Sequence, residues 1–159
     1  MRANCRRIAL TILGQAGQPG GPTDFDTLLG GGGLHILVEL EFESTRTWVR
    51  VRFSGVLKGP GALDAVRALV RDPRYTTGMN GLIDLRDVAS LEVFGDDVRS
   101  GAELVIRLGD AFAGSRWAVL ATSDPVFGIA RQFELMVADP RFEVRAFRDV
   151  ASAERWVGG

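Results

Sequence analysis

The chain has 159 residues, 46% of them hydrophobic, and its 19 Lys plus Arg against 20 Asp plus Glu give a formal net charge of −1. That length supplies one core, and the apolar fraction excludes a disordered chain. The charge balance speaks against nucleic acid as a partner, because a binder of this size carries a basic excess to neutralise phosphates.

Residues 1–33 read as a glycine-rich, flexible leader, with Gly14, Gly17, Gly20, Gly21 and the run Gly30 to Gly33 interrupted by Pro19 and Pro22. Glycine loses the most backbone entropy on ordering and buries no side chain, so this stretch is a poor core former. A short edge strand over Ile8 to Leu13 is the one element expected in it. The spacing Gly14-x-x-Gly17-x-x-Gly20 is not that of a dinucleotide loop, and no helix follows to present its N-terminus to a phosphate. Cys5 is the only cysteine, so an intrachain disulfide and a cysteine-built metal site are excluded, in keeping with a reducing cytoplasm. No apolar run is long enough to span a bilayer, and the basic start lacks the cleavage site of an export signal.

Residues 34–159 read as a single domain that opens with a hairpin. Ile36, Val38, Leu40 and Phe42 alternate with Leu37, Glu39, Glu41 and Glu43; Thr47, Val49, Val51 and Phe53 then alternate with Trp48, Arg50 and Arg52. A period of two requires one buried and one wetter face. A turn centred on Ser44-Thr45, of two or four residues, would set Glu43 against Arg46, Glu41 against Trp48, Glu39 against Arg50, Leu40 against Val49 and Val38 against Val51.

Helices and strands then alternate. Leu63, Val66, Leu69 and Val70 form a helical stripe after Gly59-Pro60, ended by Asp72-Pro73. Gly81 to Asp87 reads as a short central strand. Val98, Ala102, Val105, Leu108 and Phe112 recur at helical spacing. Arg116 to Thr122 is a strand covered on both faces. Asp124 caps a helix with Pro125 in its first turn, carrying Val126, Ile129, Ala130, Phe133 and Val137. Phe142, Val144 and Ala146 form a last strand, and Asp149 caps a final helix. The order β-β-α-β-α-β-α-β-α implies an α/β fold, a mixed sheet of four to five strands with flanking helices.

Two sets of residues could carry function. Asp84, Arg86 and Asp87 sit at the C-terminal end of the central strand, where open α/β sheets bind ligands. Two carboxylates so spaced could do acid–base work, or could simply bind neighbouring amides and pair with Arg86. On the helix after Asp124, Phe127, Arg131, Phe133 and Met136 are unusually bulky for a surface element. Phe127 and Met136 fall off the centre of the core stripe, where they could pack on a neighbouring helix, close a cavity or form a contact patch. His35 is the only histidine, so any Ser–His or Cys–His scheme must run through it, and no Gly-x-Ser-x-Gly elbow is present to pair with it. No cofactor or metal is expected.

From about residue 34 to 157 the chain resembles the STAS domain superfamily, in its uncharacterised SpoIIAA-like branch. The segments that carry this are Asp72-Pro-Arg-Tyr75, Gly81-Leu-Ile-Asp-Leu-Arg-Asp-Val88, Phe127-Gly-Ile-Ala-Arg-Gln-Phe-Glu134 and Phe147-Arg-Asp-Val-Ala-Ser-Ala-Glu-Arg-Trp156. The resemblance implies the topology of anti-sigma-factor antagonists, which bind a partner kinase and accept phosphate on a serine in an Asp-Ser-Ser/Thr-Gly phrase. Here the corresponding Asp87-Val-Ala-Ser-Leu-Glu92 departs from that phrase, and Ser90 is the nearest hydroxyl. The branch is also likened to lipid-binding domains in which a mobile helix opens an apolar cavity. The expected function is therefore a non-catalytic, cytoplasmic binding or regulatory module working through protein contact near residues 87–92 and 124–137. A small carrier for a lipid or other amphiphile, lined by Phe127, Phe133 and Met136, is the alternative; an enzyme using Asp84 and Asp87 is a third reading. The hairpin edge and the leader could also support a homodimer.

Overall fold

The computed structural model describes residues 36–42 and 45–159. The proposed strand at Ile8 to Leu13, the whole leader, His35 and the Glu43–Arg46 pair lie outside them or depend on residues that do. Strands β1 (Ile36–Phe42), β2 (Trp48–Lys58), β3 (Asn80–Glu92), β4 (Arg116–Leu120) and β5 (Glu143–Phe147) form one sheet in the order β1-β2-β3-β4-β5. Only the β1–β2 pair is antiparallel. The helices are α1 (Gly59–Arg71), α2 (Gly95–Arg107), α3 (Gly109–Phe112), α4 (Asp124–Met136) and α5 (Val150–Gly158).

A sheet that adds each strand beside the last, through right-handed crossovers, places every crossover helix on the same face. That face carries α1, α2 and α4 over Val38, Leu40, Val51, Phe53, Val119 and Trp117. The other face is covered by α5, whose Ala153 and Val157 pack on Trp48, Leu82, Ala118 and Leu120. Around the edge of α5 this face is ionic. Arg50 pairs with Glu154 of α5, and Arg52 lies 3.7 Å from Glu41.

The hairpin register differs from the expected one. Glu41 faces Arg50, Glu39 faces Arg52, Leu40 faces Val51 and Val38 faces Phe53. This is a slip of two positions from the turn-centred guess. A slip of two leaves every side chain on its own face, so alternation could not detect it, whereas a slip of one would have inverted the strand. The observed register sets an acid opposite a base in both pairs.

Several boundaries also differ. β3 does not end at Asp87 but runs to Glu92, because β2 runs on to Lys58 and offers it a partner. Opposite β2, β3 carries two extra residues, one between Asp84 and Asp87 and one between Val88 and Ser90. Gly55, beside the second bulge, has φ 89°, a conformation that favours glycine. The single helix expected through Phe112 is broken at Leu108 into α2 and α3. Arg141 causes the break: it lies where a side chain at Gly109 would be and donates to the Ile106 carbonyl at 2.8 Å, capping α2. At α4 the N-cap is Ser123 rather than Asp124, which is instead the first helical residue.

The loops after α1 and α4 repeat one construction. In Asp72-Pro-Arg74 and Asp139-Pro-Arg141, the arginine N–H and Nε donate to one carboxylate oxygen and Nη2 to the other, at 2.7–2.9 Å. The next residues, Tyr75 and Phe142, both pack on Phe112, with ring centroids 6.1 and 5.7 Å away.

Candidate functional site

Helix α4 buries Val126 and Ala130, with Val137 just past its end, and half-buries Phe127, Ile129, Phe133 and Met136. Phe127 lies under the Arg148 guanidinium, 4.1 Å from the ring centre. Arg148 also pairs with Asp124 at 2.8 Å and donates to the Thr122 carbonyl, so it ties the start of α4 to the end of β5. Arg131 pairs with Glu134 at 2.5 Å, and the Glu134 carboxylate accepts the backbone N–H of Ala146 on β5. Met136 packs against the helix-side core.

On β3, Asp84 is 1% exposed and accepts a fork of bonds from Arg86, at 2.9 Å from Nε and 2.7 Å from Nη2. Burial raises the Asp84 carboxyl, but the bonds and charge of Arg86, helped by Arg50, prevail and hold it below its ordinary value. Arg86 is raised in turn, chiefly by its bond to Asp84, with Asp87 and Glu154 adding charge. Asp87 and Ser90 are exposed. β4 pairs only Gly81 to Asp84, so the stretch beyond Asp84 has no β4 partner.

Strand alternation separates these two groups. Asp84 follows Leu82 onto the face of α5, while Ile83 and Leu85 point under α1, α2 and α4. The structure therefore does not gather Asp84, Arg86, Phe127, Arg131, Phe133 and Met136 into one patch. Phe127 and Met136 are spent on Arg148 and the core. Among the described residues no group of three or more His, Cys, Asp and Glu could hold a metal ion.

Between the sheet and the helices lie two apolar cavities. The larger, about 120 Å³, has walls that include Leu57, Val93, Val98, Ile129, Ala130 and Phe133, with Asp97 as its one charged neighbour. The smaller is about 50 Å³ and shares Phe53, Val66, Ile83, Val105 and Phe133 with it. Neither is lined by Asp84 or Asp87. Asp97 accepts the Phe94 N–H at 2.9 Å, closing the first turn of α2, and its carboxylate lies against Gly59 at the start of α1.

Two exposed residues escaped the sequence reading. Phe94 is 73% exposed and Leu135 71%. Gly95, next to Phe94, lies against Gln132, one turn before Leu135. Period counting misses such residues because it registers what faces the core. Gly101 was equally silent, although a glycine in the middle of a helix is a signal in its own right.

No protein-family model and no curated protein matches the chain. It is similar to the crystal structure of an uncharacterised DUF3478-family protein with a SpoIIAA-like fold from Shewanella loihica PV-4. The two share 16% sequence identity and superpose with a TM-score of 0.50, over 80% of this chain and 98% of that one. At that identity the likeness speaks for architecture alone, and the observed mixed five-stranded sheet with flanking helices agrees with the α/β element order expected from the sequence. The chain is an α/β protein with a mixed five-stranded sheet and a SpoIIAA-like fold.

Proposed function

We propose that the chain is a non-catalytic regulatory module that works by protein–protein contact, at the end of the sheet where β3 outruns β4. The observation that carries this reading is the exposure of Phe94 and Leu135, two large apolar side chains left in solvent, one at the start of α2 and one on α4, helices that approach each other at Gly95 and Gln132. Exposed apolar side chains gathered in one place mark interaction surfaces, whereas scattered ones do not. Asp87 and Ser90 on the unaccompanied stretch of β3, and Arg131 on α4, are exposed polar residues that the same contact could use. The Asp84–Arg86 fork supports a non-catalytic role, because a carboxylate held ionised by a guanidinium is a poor proton donor or acceptor at neutral pH.

The test is size-exclusion chromatography of the protein in an extract of its native host, compared with a Phe94→Asp, Leu135→Asp double variant. The expected result is wild type eluting in a complex and a folded variant eluting alone. Wild type eluting alone, or a variant still in the complex, overturns the reading.

The 120 Å³ cavity favours a second reading, in which the module also carries an apolar ligand under α4.

A further inference from the structure

We propose that the larger cavity is a binding site for one small apolar group, the size of a single aromatic ring or a short alkyl segment. The inference rests on the second reading above and narrows its ligand class. An apolar cavity of about 150 Å³ is known to hold benzene, so a space of about 120 Å³ has room for one ring. The walls are aliphatic and aromatic, and Asp97, the one charged neighbour, already accepts the Phe94 N–H.

Gly101 carries the argument further. It sits in the middle of α2 and faces the cavity. The glycines whose positive φ requires them are Gly55, Gly78 and Gly114, so no backbone constraint calls for glycine at 101. A Cβ there would meet the Phe133 ring at 3.6 Å, an ordinary contact with nothing to displace. Glycine in a helix interior weakens the helix, and alanine would strengthen it at no steric cost. Space is thus left open at a cavity-lining helical position where filling it would add stability. Stability forgone in this way is characteristic of binding sites. Gly128 gives α4 a similar weakness, with nothing within 4 Å of a Cβ built there, although it is exposed and does not line the cavity.

Toluene is the probe, titrated against uniformly labelled full-length protein and followed by amide NMR, with oleate as a larger comparator. Gly101→Leu fills the cavity from the α2 side; Gly101→Ala serves if that variant does not fold. The expected result is saturable toluene binding whose shifts centre on Val93, Val98, Ile129 and Phe133, weakened at least tenfold by Gly101→Leu. The filled variant should melt no lower than wild type. Absence of saturable toluene binding, shifts centred elsewhere, or undiminished binding in a folded filled variant overturns the proposal. Oleate binding without toluene binding would also overturn it, while leaving the broader carrier reading standing.

Discussion

Gly81 and Trp117 face each other across β3 and β4, and the indole occupies the space that a side chain at 81 would need. A Cβ built at Gly81 falls 2.1 Å from the ring. The ring also packs edge-on against Phe112 at 5.6 Å and donates from Nε1 to the Ser115 hydroxyl at 3.0 Å, so it cannot swing away cheaply. Gly81→Ala is expected to cost about 1–3 kcal/mol by overpacking. Gly128→Ala, in open space on α4, is expected to add up to about 1 kcal/mol. Urea unfolding should show the two midpoints moving in opposite directions at unchanged slope.

Asp84 should shape the acid limb of stability. Its folded pKa lies below the ordinary 3.8, so its contribution is complete above that pH and is lost as pH falls through the folded value. Asp84→Asn leaves Arg86 without its partner charge. The cost at neutral pH should stay below the roughly 3–5 kcal/mol of a fully buried pair, because Arg86 is partly exposed. As pH falls through the folded value, the variant and wild type should converge. Unfolding curves that stay parallel down to pH 2 would show that the fork contributes no pH-dependent stability.

Tyr75 is the only tyrosine in the chain, so its titration can be read without deconvolution. Burial pushes its hydroxyl from 10.0 up to about 12, and the hydroxyl donates to the Ala111 carbonyl at 2.9 Å. The neutral phenol is the form the fold favours. Its contribution is therefore present below pH 10 and lost as pH rises towards 12. Phenolate absorbance in the native protein should appear about two pH units later than in the urea-unfolded chain. Coincident curves would place the ring in solvent.

Arg148 joins α4 to the end of β5 through Phe127, Asp124 and the Thr122 carbonyl. Its guanidinium is half in water, so Arg148→Ala should cost only about 0.5–1 kcal/mol globally. The local effect should be larger than the global one. Amide exchange in the first two turns of α4 should accelerate several-fold, with β2 and β3 unchanged; uniform acceleration would mean that Arg148 supports the whole fold instead.

The element order and the faces of the strands were legible because each rests on a local period, and the apolar residues of β1, β2 and β4 keep theirs throughout. What could not be read depends on partners distant in sequence. β3 reaches Glu92 only because β2 reaches Lys58, and Leu108 breaks a helical pattern only because Arg141 arrives more than thirty residues later. Among the candidate residues, Arg86 forks onto Asp84, Phe127 lies under Arg148, and Phe133 and Met136 pack against the core. Asp84 and Arg86 pair as the plainer reading had it, but the pleat carries them to the face opposite α4. The cavity left no trace in a count of apolar side chains, because part of its wall is the side chain that Gly101 lacks.

The one-sided arrangement of the helices bears on how the chain leaves the ribosome. Each strand finds its neighbour already synthesised, so the sheet can grow as the chain emerges. Its second face has to wait. Trp48, Leu82, Ala118 and Leu120 stay bare until the nine residues of α5 have been made and docked. A nascent chain therefore stays adhesive until α5 has docked, and a stop codon placed just before Val150 would yield a nearly complete sheet with its second face bare.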